Sequence, residues 1–211
     1  MHRINQFNVA GIAAAALLFA TTTVHAIPVL VNGSFDSVVP TNGTGGGWTA
    51  GGNDSLGGRR TAPTADVSFT NFFIMNAGGA VATNPFLQQA IAGFDIGNTY
   101  RITGDYENAY NGFGNPAALS FGVEIVELGL LSEFKQPPSD GVGGFFIEFV
   151  ASAATLTLRL TAERNGDDSS YGVDNIAVVD VTPAQGAPEP SALALLGAGI
   201  LGLIGIRRRR R

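Results

Sequence analysis

The chain has 211 residues, 45% of them hydrophobic, no cysteine, two histidines and a formal net charge of −5. Both histidines, His2 and His25, fall within the first 26 residues, so everything downstream lacks imidazole and thiol alike. That excludes a Ser-His-Asp triad, a cysteine nucleophile, a His or Cys zinc site and any disulfide.

Residues 1–26 read as an export signal. Arg3 supplies the basic start, an apolar run extends from Val9 to Ala20, and "VHA" at Val24 to Ala26 has the small residues a signal peptidase needs. A spanning helix wants about 20 apolar residues, which this run does not reach, so cleavage before Ile27 is expected. Between Ile27 and the C-terminal tail, sixteen acidic side chains face six basic ones, a net charge of minus ten. Such a surface lacks the basic footprint that nucleic acid demands. The roughly 160 residues of this segment are enough for one well-buried domain.

Along that segment the apolar residues recur with period two. "YRITGDY" at Tyr100–Tyr106, "LSFGVEIVEL" at Leu119–Leu128, "FFIEFVA" at Phe145–Ala151, "ATLTLRLTA" at Ala154–Ala162 and "YGVDNIAVVDV" at Tyr171–Val181 all read as half-buried strands. No helical period interrupts them, and the spacing predicts an all-β sandwich over residues 27–183. Parity points Leu156, Leu158, Leu160, Phe121, Val123, Ile125, Tyr100, Ile102 and Tyr106 inward. It leaves Arg159, Arg101, Asp105, Glu124 and several threonines outward, as a solvated face or one that hydrogen-bonds polyols.

The Gly/Thr/Asn stretch from Thr41 to Gly58 reads as a surface loop, and the N-x-S/T matches at Asn32, Asn42 and Asn53 as turns. "NGDDSS" at Asn165–Ser170 lacks the D-x-D-x-D-G calcium spacing and reads as a hairpin turn. Aromatic side chains are the usual platform for sugars. The loop "DYENAYNGFGNP" offers Tyr106, Asn108 and Tyr110 as exposed ligand-binding candidates, joined by Arg159, whereas Trp48 is expected in the core. Without His or Cys, a hydrolase would need a carboxylate pair. Glu124 and Glu127 have opposite parity and Asp167 and Asp168 sit in a turn, so no pair is selected and no catalytic residue is assigned.

The linker "TPAQGA" at Thr182–Ala187 leads into the tail, residues 184–211. Pro188, Glu189 and Pro190 follow, then fifteen apolar residues from Ala192 to Ile206 and the cluster Arg207, Arg208, Arg209, Arg210 and Arg211. The arginines are a stop-transfer signal held on the cytoplasmic side. At about 1.5 Å per residue the apolar stretch spans roughly 22 Å, a marginal transmembrane helix. This order of parts resembles the PEP-CTERM sorting signal of exopolysaccharide-secreting Gram-negative bacteria. The resemblance implies two processing partners, signal peptidase and an exosortase-type membrane protease that cuts near Pro188–Pro190. It also implies a route across the inner membrane, transient anchoring, and release to the cell surface or outside. The two prolines keep the motif extended for a protease cleft.

A second resemblance lies at the two ends of the middle segment. "LVNGSFD" at Leu30–Asp36, "GGW" at Gly46–Trp48 and "YGVDNIAV" at Tyr171–Val178 are similar to the first and last strands of carbohydrate-binding modules with a galactose-binding-like jelly roll. The departures are Asp36 for the usual acid and Asn175 for a second Asp. The resemblance implies first and last strands lying close together, with a structural calcium held by Asp36, Asp174 and carbonyls near Ser34; calcium needs six to eight oxygens. The function expected is that of a non-enzymatic, glycan-binding or adhesive protein of the exopolysaccharide or biofilm matrix. The alternatives are a purely structural matrix component and, third, a polysaccharide-active hydrolase.

Overall fold

Alternation sorts the strands into faces. In Thr155–Ala162 every second residue is buried, with Leu156, Leu158, Leu160 and Ala162 turned into the core, because successive strand side chains point to opposite sides. The computed structural model describes residues 26–53, 58–60, 68–77, 84–108, 120–135, 142–162 and 169–183. Residues 1–25 and 184–211, where the signal and the sorting tail are expected, and Tyr110 lie outside them. Among the described residues no helix is long and apolar enough to cross a membrane.

The described strands form two antiparallel sheets. One runs β1 (Gly43–Gly45), β2 (Trp48–Gly51), β5 (Phe86–Ala92), β10 (Thr155–Ala162), β7 (Ser120–Ile125) and β8 (Leu130–Lys135). The other runs β3 (Gly58–Arg60), β4 (Phe72–Ala77), β11 (Ser169–Asp180), β6 (Thr99–Asn108) and β9 (Val142–Val150). From β4 onward the chain changes sheet at every connection except β7 to β8, so the expected β-sandwich with jelly-roll winding is the fold. Its inner faces meet over Trp48, Tyr100, Tyr171, Phe35, Phe73, Phe121 and Met75, all fully buried.

Two expectations need correcting. Leu30–Asp36 forms no strand ladder: Val29 makes an isolated bridge to Ala92, and Asn32 and Phe35 adopt φ of 55° and 51°. The left-handed turns tuck Phe35 beneath the sandwich, 5.7 Å from Trp48 and 6.0 Å from Phe73 between ring centroids. Buried Gln89 pins the segment, accepting from Val31 N at 2.7 Å and donating to Val31 O and Gly47 O, both at 2.9 Å. The Thr41–Gly58 stretch is not one loop either, since it contains β1, β2 and the start of β3. Trp48 and Ala50 of β2 face the core, and Asn53, only 5% exposed, ties this corner to β4 by accepting from Asn76 N at 3.0 Å.

Candidate functional site

The end of the sandwich where the first and last segments meet is shaped by a bulge. Between the pairs Asp174–Asp105 and Ala177–Thr103, β11 carries Asn175 and Ile176 against the single residue Gly104. Asn175 takes φ 54°, a conformation asparagine tolerates better than most residues. The distortion turns Ile176 N toward Gly33 O at 3.0 Å, docking the N-terminal segment onto β11. A side chain at Gly33 would drive its Cβ into the Ile176 carbonyl oxygen, so the close approach requires glycine.

Three carboxylates collect there. Asp174 and Asp105 are direct cross-strand partners, and Asp105 Oδ2 accepts from Asn175 Nδ2 at 2.9 Å. Asp36 accepts from Ser34 Oγ and Asn71 Nδ2, each at 2.8 Å. Asp174 is 8% exposed and its Oδ1 has no hydrogen-bond partner. Desolvation pushes its carboxyl up to about 6; the Asn175 backbone N–H opposes this, while the charges of Asp105 and Asp36 add to it. Burial of an anion beside like charges is costly, and a cation would relieve it. Asp36 and Asp174, named from the sequence, are thus in electrostatic contact, and the register adds Asp105. Among the described residues no three His, Cys, Asp or Glu side chains converge as a metal cage. A calcium ion here would therefore take several of its oxygens from backbone carbonyls and water, which the donor set of a hard, oxygen-seeking cation permits.

The aromatic platform expected in the Asp105–Pro116 loop is not supported at Tyr106. That side chain is 5% exposed and stacks on Phe121 at 5.1 Å and 10° between planes; burial raises its phenol pKa. Parity prevails over loop proximity, because β6 continues to Asn108. Asn108 ends that strand opposite Tyr171, and Tyr110 lies outside the described residues. The polar face also divides: Arg159 and Glu124 sit on the six-stranded sheet, Arg101 and Asp105 on the five-stranded one. Arg101 is taken up by Glu148, with Nε to Oε1 at 2.7 Å.

Arg159 is different. On the outer face of β10 it stands between Gln88 of β5 and Glu124 of β7, its direct cross-strand neighbours. Its guanidinium carbon lies 4.5 Å from the centroid of the Phe86 ring, an attractive stacking geometry, and its buried Nε has no hydrogen-bond partner. The Phe86 ring in turn lies across Gly51, where a Cβ would come within 2.5 Å of it. A rigid guanidinium fork flanked by an amide and a carboxylate offers donors and acceptors on the outer face of the sheet. Phe86 was missing from the sequence reading; the signal is the alternation "FLQQAIA" right after Pro85.

Residues 187–211 match the family model for the PEP-CTERM protein-sorting motif. This motif contains Pro188, Glu189, Pro190 and the five arginines, all outside the described residues. No curated protein matches the chain. Among solved structures, TmCBM61 in complex with β-1,4-galactotriose is 11% identical over 72% of this chain and 97% of its own, with a TM-score of 0.49. The CBM22-1 xylan-binding domain of Paenibacillus barcinonensis Xyn10C is 16% identical over 76% and 98%, with a TM-score of 0.44. An arabinose-bound α-L-arabinofuranosidase is 13% identical over 74% of this chain and 26% of its own, with a TM-score of 0.46.

Proposed function

We propose that this PEP-CTERM protein is exported, held briefly in the inner membrane and released by an exosortase-type protease to the cell surface or matrix, where its β-sandwich binds glycan. The sorting motif supports the route, and the basic start, apolar run and small residues of Val24–Ala26 in the N-terminal segment support its first step. The observation that carries the binding reading is Arg159, laid on Phe86 on the outer face of β10 and flanked by Gln88 and Glu124. Planar donors beside acceptors suit vicinal sugar hydroxyls. The acidic balance of the domain and the adjacent Glu124 favour neutral over polyanionic glycans.

Calcium belongs to the same reading as a structural ion, with Asp174 and Asp36 as carboxylate ligands and Asp105 beside them. It steadies the junction of the first and last segments rather than touching the glycan.

The test is a glycan array probed with the chain as its host exports it, alongside Arg159→Ala. The expected outcome is binding to a set of neutral glycans that the variant loses while keeping its melting temperature. An array without signal, or one on which the variant binds equally, overturns the glycan reading.

A further inference from the structure

A sheet edge is a row of unpaired backbone donors and acceptors, and proteins blunt such edges against unwanted pairing. Among the described strands, three of the four sheet edges are blunted. β1 is only Gly43–Gly45, β3 is Gly58–Arg60 with two arginines, and β8 carries Glu133 and Lys135. β9 is not. It runs nine residues, Val142–Val150, without proline, lysine or bulge. It pairs with β6 on one side, and among the described residues nothing bonds the other.

Three of its outward side chains are apolar and exposed, Val142 50%, Phe146 56% and Val150 56%, and its one charge, the outward Glu148, is paired with Arg101. Phe146 is held in place under the Arg101 guanidinium, 5.4 Å from the ring centroid. We propose that this edge is an interface for a second copy of the same chain, which adds its own β9 antiparallel across a two-fold axis and joins the two five-stranded sheets into one.

The strand is self-complementary for that purpose. Phe146 is the midpoint of Val142–Val150, so full-length antiparallel pairing sets Phe146 against its own copy and Val142 against Val150 at both ends. Glu148, the only ionisable side chain in the strand, then faces Gly144 instead of another carboxylate, and its charge is already compensated by Arg101 of its own chain. Inner-face Phe145 falls opposite Ile147, extending both cores. Such a ladder supplies roughly eight to ten backbone hydrogen bonds, and cross-strand aromatic and β-branched pairs reinforce it. Two-fold pairing of one patch with itself is the commonest oligomer geometry.

The experiment is sedimentation equilibrium of the chain as its host exports and processes it, compared with Phe146→Lys, Phe146→Glu and their equimolar mixture. Position 146 is exposed, and a melting curve for each variant verifies folding. The expected result is a concentration-dependent wild-type dimer, about tenfold weaker association for each variant because like charges meet on the axis, and recovery of a one-to-one complex on mixing. A wild type that stays monomeric overturns the proposal. So does a dimer indifferent to both variants, or one that both weaken and mixing fails to restore.

Discussion

Asp174 on β11 lies directly opposite Asp105 on β6, buried and with one carboxylate oxygen unbonded. Like charges placed opposite one another across a ladder are destabilising. The fold keeps the pair because the bulge that follows Asp174 also docks the N-terminal segment through Gly33.

That arrangement fixes the sign of a pH dependence. The carboxyl of Asp174 moves from an ordinary value of 3.8 to about 6 in the folded chain. The native state therefore holds this proton more tightly than the unfolded state, and the favourable contribution is complete below about pH 4. It is lost as pH rises through 6. In chelator, Asp174→Asn is expected to flatten the fall in melting temperature between pH 4 and 6 and to be the more stable protein at pH 8. Identical pH profiles for the two proteins would contradict the account.

Adding calcium tests the cation reading at the same place. At pH 7.5, calcium at about a hundred times its dissociation constant stabilises by about 2.7 kcal/mol, a rise of roughly 5–10 °C for a domain of this size. The rise is expected for the wild type and is lost in Asp174→Asn, with magnesium a weak substitute because it resists flexible oxygen cages. No shift with either ion in the wild type would remove calcium from the proposal.

Glu127 gives the opposite sign. It accepts from Thr157 N at 2.7 Å and from Thr157 Oγ1 at 2.6 Å. Desolvation alone would raise its pKa, but these hydrogen bonds outweigh that and hold it below 4.5. Its contribution is present above that value and disappears as pH falls through the lower folded one. Glu127→Gln is expected to lower the melting temperature at pH 7, by a margin that narrows as the pH falls through the lowered folded value, read by the same thermal scans.

Gly33 tests the docking itself. With the Ile176 carbonyl in the way of any Cβ, Gly33→Ala must displace the segment, at a cost of about 2–3 kcal/mol. Trp48 reports on it, because its Nε1 donates to Asn32 O at 3.1 Å and its ring packs on Phe35. A lower urea midpoint with red-shifted tryptophan emission is the expected outcome; unchanged emission would mean that the segment is not held there.

The longer strands were legible because one side of each is wet over most of its length, β11 excepted over Tyr171–Asp174. β6, β7, β9, β10 and β11 alternate, and their sequence bounds differ from the observed ones by a few residues at most. β4 escaped because Phe72 and Ile74 on its outer side are covered by Phe69, which erases the alternation in "FFIMN". β1 and β2 escaped because three- and four-residue strands within "GTGGGWTAG" carry no measurable period. Asp36 and Asp174 could be named from local motifs, but Asp105 enters through cross-strand register, which no local pattern encodes. Tyr106 was assigned inward by parity and outward by loop composition, and parity prevailed. Arg159 was visible as an outward side chain, while Phe86 beneath it depended on which strand lies next to β10.

That adjacency determines how Arg159 variants behave. If the guanidinium fork supplies the contacts, Arg159→Lys keeps the charge but loses the planar donors. Both Arg159→Lys and Arg159→Ala are then expected to weaken glycan binding about tenfold or more, a loss typical of one or two hydrogen bonds to a charged group. Phe86→Leu removes the ring that orients the fork without removing the fork. It is expected to weaken binding less than Arg159→Ala, by isothermal titration against whichever glycan the array selects. Melting temperatures of all three should stay near that of the wild type, because Arg159 stands on the outer face of β10 and among the described residues has no ion pair to lose. If Arg159→Lys binds like the wild type, charge alone suffices, and the donor geometry on this sheet is not what recognises the sugar.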